Sequence, residues 1–202
     1  MTFVTSKRNK QSINNLKNIT MKTIAVPTRD QVSENNQAIF DNLQKGLGFV
    51  PNLYATFGYS KNGLGTYLNL QNAASSISKK EREVVNLVVS QVNDCRYCQS
   101  AHTVLGKMNG FTDEQILEIR KGEASFDAKL NALAVFVKDT TENRGRASAE
   151  SVENFFAAGY TNENLVDVLM VIGDKIISNY LHAITQIPID FPVAPVLEEV
   201  YA

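Results

Sequence analysis

Cysteine and histidine are scarce in this sequence, and long apolar runs are missing. The 202 residues include two cysteines, two histidines and no tryptophan. Two cysteines cannot build a disulfide scaffold in a chain of this length, and no apolar signal-like segment opens the sequence. The apolar stretch 165–172 is interrupted by Asp167 and falls well short of the roughly 20 residues that span a bilayer. The sequence therefore predicts a soluble, cytoplasmic protein with no membrane partner.

The sequence also lacks an excess of charge of either sign. The formal net charge is −1 and the pI about 6.1, so no global field would attract nucleic acid. Hydrophobic residues make up 44%, enough for a substantial buried core. Residues 1–29 are basic and lack hydrophobic periodicity. Because Met21 opens a plausible second start, we interpret residues 1–20 as a disordered extension and 21–202 as one domain; a nucleic-acid-binding arm and a transit peptide are the alternatives.

Helical periodicity dominates from Asp30 onward, because apolar residues recur at spacings of three and four. The pattern predicts an all-α domain with helices at 31–46, 51–58, 62–76, 79–92, 95–109, 113–121, 127–143, 149–158 and 162–185. Predicted N-caps precede four of them: Ser78, Thr112, Asp127 and Thr161. The proline-rich segment 187–195 cannot be helical, and we expect it to run extended over a surface.

The two cysteines occur together, as Cys95 and Cys98, and one of the two histidines, His102, follows four residues later. We expect Asn93 or Asp94 to cap the helix, so that Cys95 begins it. Offsets of three and four then place both thiols and the imidazole on one helix face. The thiols can approach closely enough to form a disulfide.

Three neighbours of the pair can support redox chemistry. A thiolate is favoured at a helix N-terminus, beside Arg96, and next to a protonatable imidazole. Glu83 lies on a face of the preceding helix that points toward the cysteines, so its carboxylate can accept the thiol proton directly or through water; an ordinary solvated helix charge is the alternative. Tyr97 can donate a hydrogen bond into the site or simply pack.

Segments 110–115 and 159–164 resemble each other at a spacing of 49 residues. A shift of 49 residues pairs Cys95, Cys98 and His102 with Arg144, Ala147 and Ser151, respectively. The second set therefore contains no thiol. Either a helix hairpin is repeated and only one copy retains the chemistry, or two unrelated hairpins use the same turn.

The motif resembles a known family. Glu83 with 84–93, the sequence Cys-Arg-Tyr-Cys at 95–98, and Ser-Ala-His at 100–102 are similar to the core of the AhpD-like alkyl hydroperoxidases, in the carboxymuconolactone decarboxylase superfamily. A looser similarity through 48–52 and 187–192 extends to the peroxidase-related branch. The resemblance implies an AhpD-like all-helical bundle and an enzyme that reduces hydrogen peroxide or organic hydroperoxides.

The resemblance also implies roles. Cys98 attacks the peroxide and becomes a sulfenic acid, Cys95 resolves it to a disulfide, and Glu83 and His102 relay protons. Helix-terminus electrostatics alone favours Cys95 as the reactive thiol, whereas the placement of His102 one turn after Cys98 favours the family's assignment, which we adopt. No cofactor or metal is implied. Relatives suggest a homo-oligomer, trimer or hexamer, and a thiol reductant protein that bears lipoyl groups in some members.

The chain departs from the best-known peroxidase of the group at Tyr97, where that protein has a histidine. A phenol with a pKa near ~10 shuttles protons poorly at neutral pH, which predicts weaker activity or a different substrate. The decarboxylase members lack the cysteine pair, so lactone decarboxylation is not expected.

Other classes of protein stay open. A structural zinc site can be drawn from Cys95, Cys98, His102 and His182, although the spacing is unusual. A thioredoxin-type enzyme would need strands around the motif, and the periodicity offers none. The third alternative is a non-enzymatic helical assembly module. We expect His182 to be a packed or interface residue.

Overall fold

The fold is an all-α bundle, as predicted. The structure is a computed structural model that describes residues 24–197, and no strand occurs in that range. A short 3₁₀ turn at Arg29–Gln31 comes first. The helices are α1 (Glu34–Leu47), α2 (Asn52–Phe57), α3 (Gly63–Gln71), α4 (Lys79–Val92), α5 (Arg96–Met108), α6 (Asp113–Lys121), α7 (Ala128–Glu142), α8 (Ala149–Ala157) and α9 (Asn162–Thr185).

Local capping explains where most of these helices begin. The four predicted N-caps are confirmed, because each side chain accepts a backbone N–H of the first turn: Ser78, Thr112, Asp127 and Thr161. Gly110 and Gly159, at φ of 87° and 90°, occupy the left-handed region just after α5 and α8. Only a residue without a Cβ adopts that conformation without strain, so these glycines set both turns.

One predicted helix is five residues too long at its C-terminal end. The pattern predicted 62–76, but α3 ends at Gln71. Asp167 of α9 accepts hydrogen bonds from the Ser76 N–H and hydroxyl and from the Ser75 hydroxyl. This contact spans 91 residues, so a tertiary interaction ends the helical path.

The centre of the bundle is α4, which packs against α5, α6, α7 and α9. Its residues Val84, Val85, Leu87, Val88 and Val89 have essentially no solvent exposure. Burying one such side chain contributes about 1.5–3 kcal/mol before the loss of conformational entropy is counted. A smaller cluster lies to one side, around the cysteines, and consists of Leu53, Cys95, Tyr97, Cys98 and Ile187.

The segment after α9 is not helical, as predicted, and it lies against α5 with two of its residues buried. Ile187 and Ala194 are each only 2% exposed. Ala194 donates its N–H to Ser100 Oγ at 3.0 Å, and its carbonyl accepts from the Arg96 guanidinium at 2.7 Å. Since this extended backbone has no ladder of its own, side chains of α5, α6 and α2 supply its hydrogen bonds. We refer to residues 186–196 as the C-terminal strap.

The 49-residue offset relates whole helices and not only the two turns. It places α4 on α7, α5 on α8, and α6 on the first part of α9. Three consecutive elements in register favour a repeated three-helix unit over two unrelated hairpins. We call residues 79–121 the first unit and 128–170 the second unit.

Two further predictions concern the ends and the membrane. The proposed extension, residues 1–20, and the proposed boundary at Met21 lie outside the described residues. Across residues 24–197, no helix is both long and apolar enough to cross a bilayer.

Candidate active site

Cys95 caps helix α5 with its own side chain. The expected cap, Asn93 or Asp94, is wrong: Cys95 Sγ accepts the Cys98 N–H at 3.4 Å and the helix begins one residue later. Asp94 has φ of 48°, and the Cys95 N–H donates to the Ser90 carbonyl at 2.9 Å. This tight turn between α4 and α5 brings both sulfurs to the positive end of α5.

The two thiols are free and buried, yet they face different surroundings. Cys98 lines a cavity of about 470 Å³ whose lining does not include Cys95. The cavity wall is mainly apolar, and its rim carries the exposed side chains of Leu47, Leu105 and Met108. A small molecule in the cavity therefore meets Cys98, with Cys95 behind it.

The electrostatics of the pair are unequal. A hydrogen bond from the Cys95 thiol, together with the positive charge of Lys175 and the nearby His102 ring, lowers the pKa of Cys98 to about 6 despite its burial. The same hydrogen bond, joined by burial, raises the pKa of Cys95 above its ordinary value. The Asn179 side chain lies beside both sulfurs. Near neutral pH the arrangement favours a thiolate on Cys98 and a thiol on Cys95.

Glu83 contacts the imidazole of the motif rather than a sulfur. Its Oε2 lies 2.8 Å from His102 Nδ1, and its Oε1 accepts from Asn86 Nδ2 at 3.0 Å. Burial alone would raise the pKa of Glu83, but its contact with His102, the hydrogen bond from Asn86 and the charge of Lys175 outweigh the burial and hold the pKa below its ordinary value. The structure thus joins Glu83 and His102, across the α4–α5 interface, as a carboxylate–imidazole pair.

Lys175 is a site residue that sequence reasoning missed. It lies on α9, is 2% exposed, and places its Nζ 3.2 Å from His102 Nε2. Burial lowers the pKa of Lys175, but the acidic groups around it, Tyr67, Asp174 and Cys98, more than offset this and raise it. The available signal was the Asp-Lys pair at 174–175, which interrupts an otherwise apolar stretch of α9.

Tyr97 packs and ties elements together. Its hydroxyl accepts the Leu53 N–H at the start of α2 at 3.2 Å and lies beside Asp190 of the strap. Its ring lies 5.3 Å from that of His182 between centroids. Burial raises the pKa of Tyr97. Of the two roles considered for Tyr97, this geometry favours packing, because the phenol is already committed to α2 and the strap.

The ligands of the alternative zinc site are not brought together. Within residues 24–197, no group of three or more His, Cys, Asp or Glu side chains is placed to hold a metal ion. His182 Nε2 is 3.2 Å from the Ile187 carbonyl, consistent with a packed residue. Both ring nitrogens of His102 are engaged, by Glu83 and Lys175.

A second, more polar cavity of about 420 Å³ lies on the other side of His102. Glu83, Asn86, Asp174 and Arg82 contribute to its lining. Asn86 Oδ1 and Asp174 Oδ1 face no hydrogen-bond partner among the described residues, so the lining suits water. His102 therefore separates an apolar cavity at Cys98 from a polar cavity at Glu83.

The comparisons with known proteins agree with the predicted resemblance. The model of the carboxymuconolactone decarboxylase family matches residues 62–138, which include α3 to α6 and most of α7. No curated protein matches the sequence.

Solved structures share the fold at low sequence identity. An alkylhydroperoxidase AhpD-core, peroxidase-related protein from Ralstonia eutropha JMP134 superposes with a TM-score of 0.72 at 18% identity, over 81% of this chain and 89% of that chain. A peroxidase-related protein from Silicibacter sp. TM1040 gives 0.72 at 22% identity, over 89% and 94%. The debrominase Bmp8 in complex with 2,3,4-tribromopyrrole gives 0.68 at 14% identity, over 91% and 97%. The AhpD-like fold and the family resemblance predicted from the motif are confirmed.

Proposed function

We propose that this chain, which is an AhpD-like member of the carboxymuconolactone decarboxylase superfamily, reduces hydroperoxides with the thiolate of Cys98. The observation that carries the proposal is the asymmetry of the two cysteines. Cys98 lines the cavity and has a lowered pKa, whereas Cys95 is placed behind it as a hydrogen-bond donor. Attack requires a thiolate in contact with the substrate, and only one of the two sulfurs meets both conditions.

The chemistry proceeds in two steps. The Cys98 thiolate attacks one oxygen of the peroxide, the O–O bond breaks, and Cys98 becomes a sulfenic acid while an alkoxide or hydroxide leaves and takes up a proton. The Cys95 thiol then attacks the sulfenic sulfur, so that a Cys95–Cys98 disulfide forms and water is released. An external dithiol reductant returns both cysteines to the reduced state.

Glu83 and His102 supply the proton relay in this proposal. They are hydrogen-bonded to each other, and His102 borders the same cavity as Cys98. The polar cavity on the Glu83 side offers a route for proton exchange with solvent. A positioned acid–base pair of this kind contributes about 10²–10⁴-fold to a rate.

The apolar wall of the cavity supports an organic hydroperoxide as the better substrate. Phe49, Tyr54 and Phe191 line it beside the exposed rim. An apolar body buried there gains roughly 25 cal/mol per Å² removed from water, which hydrogen peroxide cannot gain. Cumene hydroperoxide should therefore react faster than hydrogen peroxide.

Substitution of the two cysteines tests the proposal. With a dithiol reductant, Cys98→Ser should abolish consumption of cumene hydroperoxide and sulfenic acid labelling by dimedone. Cys95→Ser should complete one turnover and accumulate labelled Cys98, read by mass spectrometry. A folded Cys98→Ser protein that consumed hydroperoxide at the wild-type rate would refute the assignment.

Parallel measurements separate the other classes of function. Near-stoichiometric zinc lost only on denaturation would replace the proposal with a structural metal site. A wild-type protein that neither consumes hydroperoxide nor labels would indicate a helical assembly module. Consumption of 2,3,4-tribromopyrrole in place of hydroperoxides would indicate a dehalogenase.

We also propose a homo-oligomer, a trimer or hexamer, built on α9. One side of this helix exposes large apolar side chains at helical spacing: Val166, Leu169, Met170, Ile177, Tyr180 and Ile184. An apolar stripe of this length on a surface helix is typical of a protein–protein interface. Light scattering of the native particle measures the assembly, and a monomeric mass would refute it.

A further inference from the structure

We propose that Lys175 is a positioning residue of this site: its buried ammonium donates to His102 Nε2, sets the tautomer of that ring, and supplies the positive charge that holds Cys98 as a thiolate. This inference rests on the proposed function, because it explains how the same thiol is activated. Neither the family motif in the sequence nor its spacing indicates this residue, which lies 73 positions after His102.

The first step of the argument is the hydrogen bond to His102. An ammonium has three donors and no acceptor, so a contact of 3.2 Å requires a lone pair on His102 Nε2. The ring proton must then lie on Nδ1, where Glu83 Oε2 accepts it at 2.8 Å. Lys175 and Glu83 together specify one tautomer of a neutral His102, with Nδ1 protonated.

The second step concerns the cost of burying the charge. Lys175 is 2% exposed, and an isolated ammonium in such a place would be strongly destabilised. Its nearest carboxylate, Asp174, is adjacent in sequence and 3.5 Å away, and the Tyr67 hydroxyl lies at the same distance. Since Lys175 also borders the Cys98 cavity, an anionic sulfur there completes the neutralisation of the charge. The lysine and the thiolate therefore stabilise each other.

The third step is the geometry of α9. Asn179 stands one turn after Lys175 and lies beside both sulfurs, while its Oδ1 accepts from Asn93 at 3.0 Å. Residues four apart share a helix face. The face of α9 that carries Lys175 and Asn179 is thus directed at the α4–α5 turn, and Lys175 is the residue of this face that donates to the site.

Several other ionisable groups face this site and bear on its titration. They come from every element packed around it: Glu83 on α4, Cys95, Tyr97 and His102 on or at α5, Tyr54 on α2, Tyr67 on α3, and Asp174 on α9. The negative charges of Glu83 and Asp174 disfavour a thiolate on Cys98. Within residues 24–197, Lys175 is the one lysine or arginine that borders the cavity. Removing the Lys175 charge should therefore have a large effect on the thiolate.

The rate of Cys98 alkylation as a function of pH tests the inference without peroxide. We compare Lys175→Met and Lys175→Arg with Lys138→Met, a control on α7 that removes a lysine bonded to the Lys121 carbonyl. In Lys175→Met the pH midpoint of iodoacetamide alkylation should rise by about one unit, a roughly tenfold loss of rate below the midpoint. Lys175→Arg should keep the midpoint close to that of the wild type, because the positive charge is retained. Lys138→Met should have the wild-type midpoint. An unchanged midpoint in a folded Lys175→Met protein would overturn the proposal.

The histidine tautomer provides a second readout on the wild-type protein. With ¹⁵N-labelled histidine, the NMR shifts of His102 should identify a neutral ring protonated at Nδ1, and an Nε2-protonated ring would contradict the inference even if no variant folded. Both measurements are independent of turnover. A wild-type protein with the expected tautomer and thiol titration but no hydroperoxide reduction would refute the proposed function and leave the role of Lys175 intact.

Discussion

The first and second units repeat the same three helices but have different surroundings. In each unit, the turn before the third helix has a glycine in the left-handed region, and a threonine capping box follows it. In the first unit, Cys95, Cys98 and His102 are all buried. At the same positions of the second unit, Arg144 is exposed, Ala147 is half-buried and only Ser151 is buried. The helix of the second copy also begins four residues later than the offset from Arg96 gives, so the counterparts of Tyr97 and Cys98 lie in the loop before α8.

The two hairpins also differ in what covers them. In the first unit, the strap hydrogen-bonds to Arg96 and Ser100, and Tyr97 contacts the N-terminus of α2. The second-unit counterpart of Tyr97 is Arg146, which is exposed to solvent. Burial of the first hairpin by the strap and α2 matters chemically, because buried charges interact more strongly than solvated ones. A reactive thiol at this position therefore depends on segments outside the repeat.

The largest expected effect is on catalysis and is confined to the first unit. Glu83→Gln should lower hydroperoxide turnover by about 10²–10³-fold, because the amide cannot hold the His102 proton as a carboxylate does. Ser151→Ala, at the second-unit position of His102, should leave turnover unchanged. Steady-state kinetics with cumene hydroperoxide measures both, and equal losses in the two variants would contradict the division of labour between the units.

A smaller effect is expected on the free energy of unfolding when the contact between the first hairpin and α2 is weakened. Tyr97→Phe removes a hydroxyl that accepts the Leu53 N–H, and should cost about 1–3 kcal/mol because a buried donor is left unsatisfied. Arg146→Ala, its exposed counterpart, should change the free energy of unfolding by no more than about 0.5 kcal/mol. Urea unfolding followed by circular dichroism provides the comparison. Turnover of Tyr97→Phe should stay close to wild type, and a loss comparable to that of Glu83→Gln would assign the phenol a chemical role.

The smallest expected effect tests what the two units share. Thr112→Ala and Thr161→Ala each delete a capping box, and each should cost about 1 kcal/mol. The same urea titrations measure these costs. If one cap contributed far more than the other, the matching turns would not be energetically equivalent.

The helices were predictable because their signals are local. Apolar spacing and four side-chain caps are readable within a few residues, and all nine predicted helices occur between residues 24 and 197. The features that were not predicted have long-range causes. Asp167 ends α3 from 91 residues away, and the burial of Ala194 depends on side chains of α5. The cap of α5 was misassigned because a cysteine is an unusual cap and Asp94 adopts a left-handed conformation.

The candidate site likewise has a part that could be predicted from the sequence and a part that could not. Residue spacing alone placed Cys95, Cys98 and His102 near one another, because offsets of three and four share a helix face. The contact of Glu83 with His102 was partly foreseeable, since adjacent antiparallel helices bring such faces together. The Asp-Lys pair at 174–175 marks charges within an apolar stretch, but the contact of Lys175 with His102 was not foreseeable, because the sequence gives no signal of the partner.

The sequence by itself determined the all-helical bundle, the repeated capped turns and a pair of thiols at the start of a helix, since all of these depend on short-range backbone and side-chain preferences. Only the tertiary structure decided which sulfur faces the cavity and which one donates to the other. It did so because α9 and the strap close over the α4–α5 turn. The charge of Lys175 and the depth of burial that shift the Cys98 pKa exist only once those distant segments are packed together.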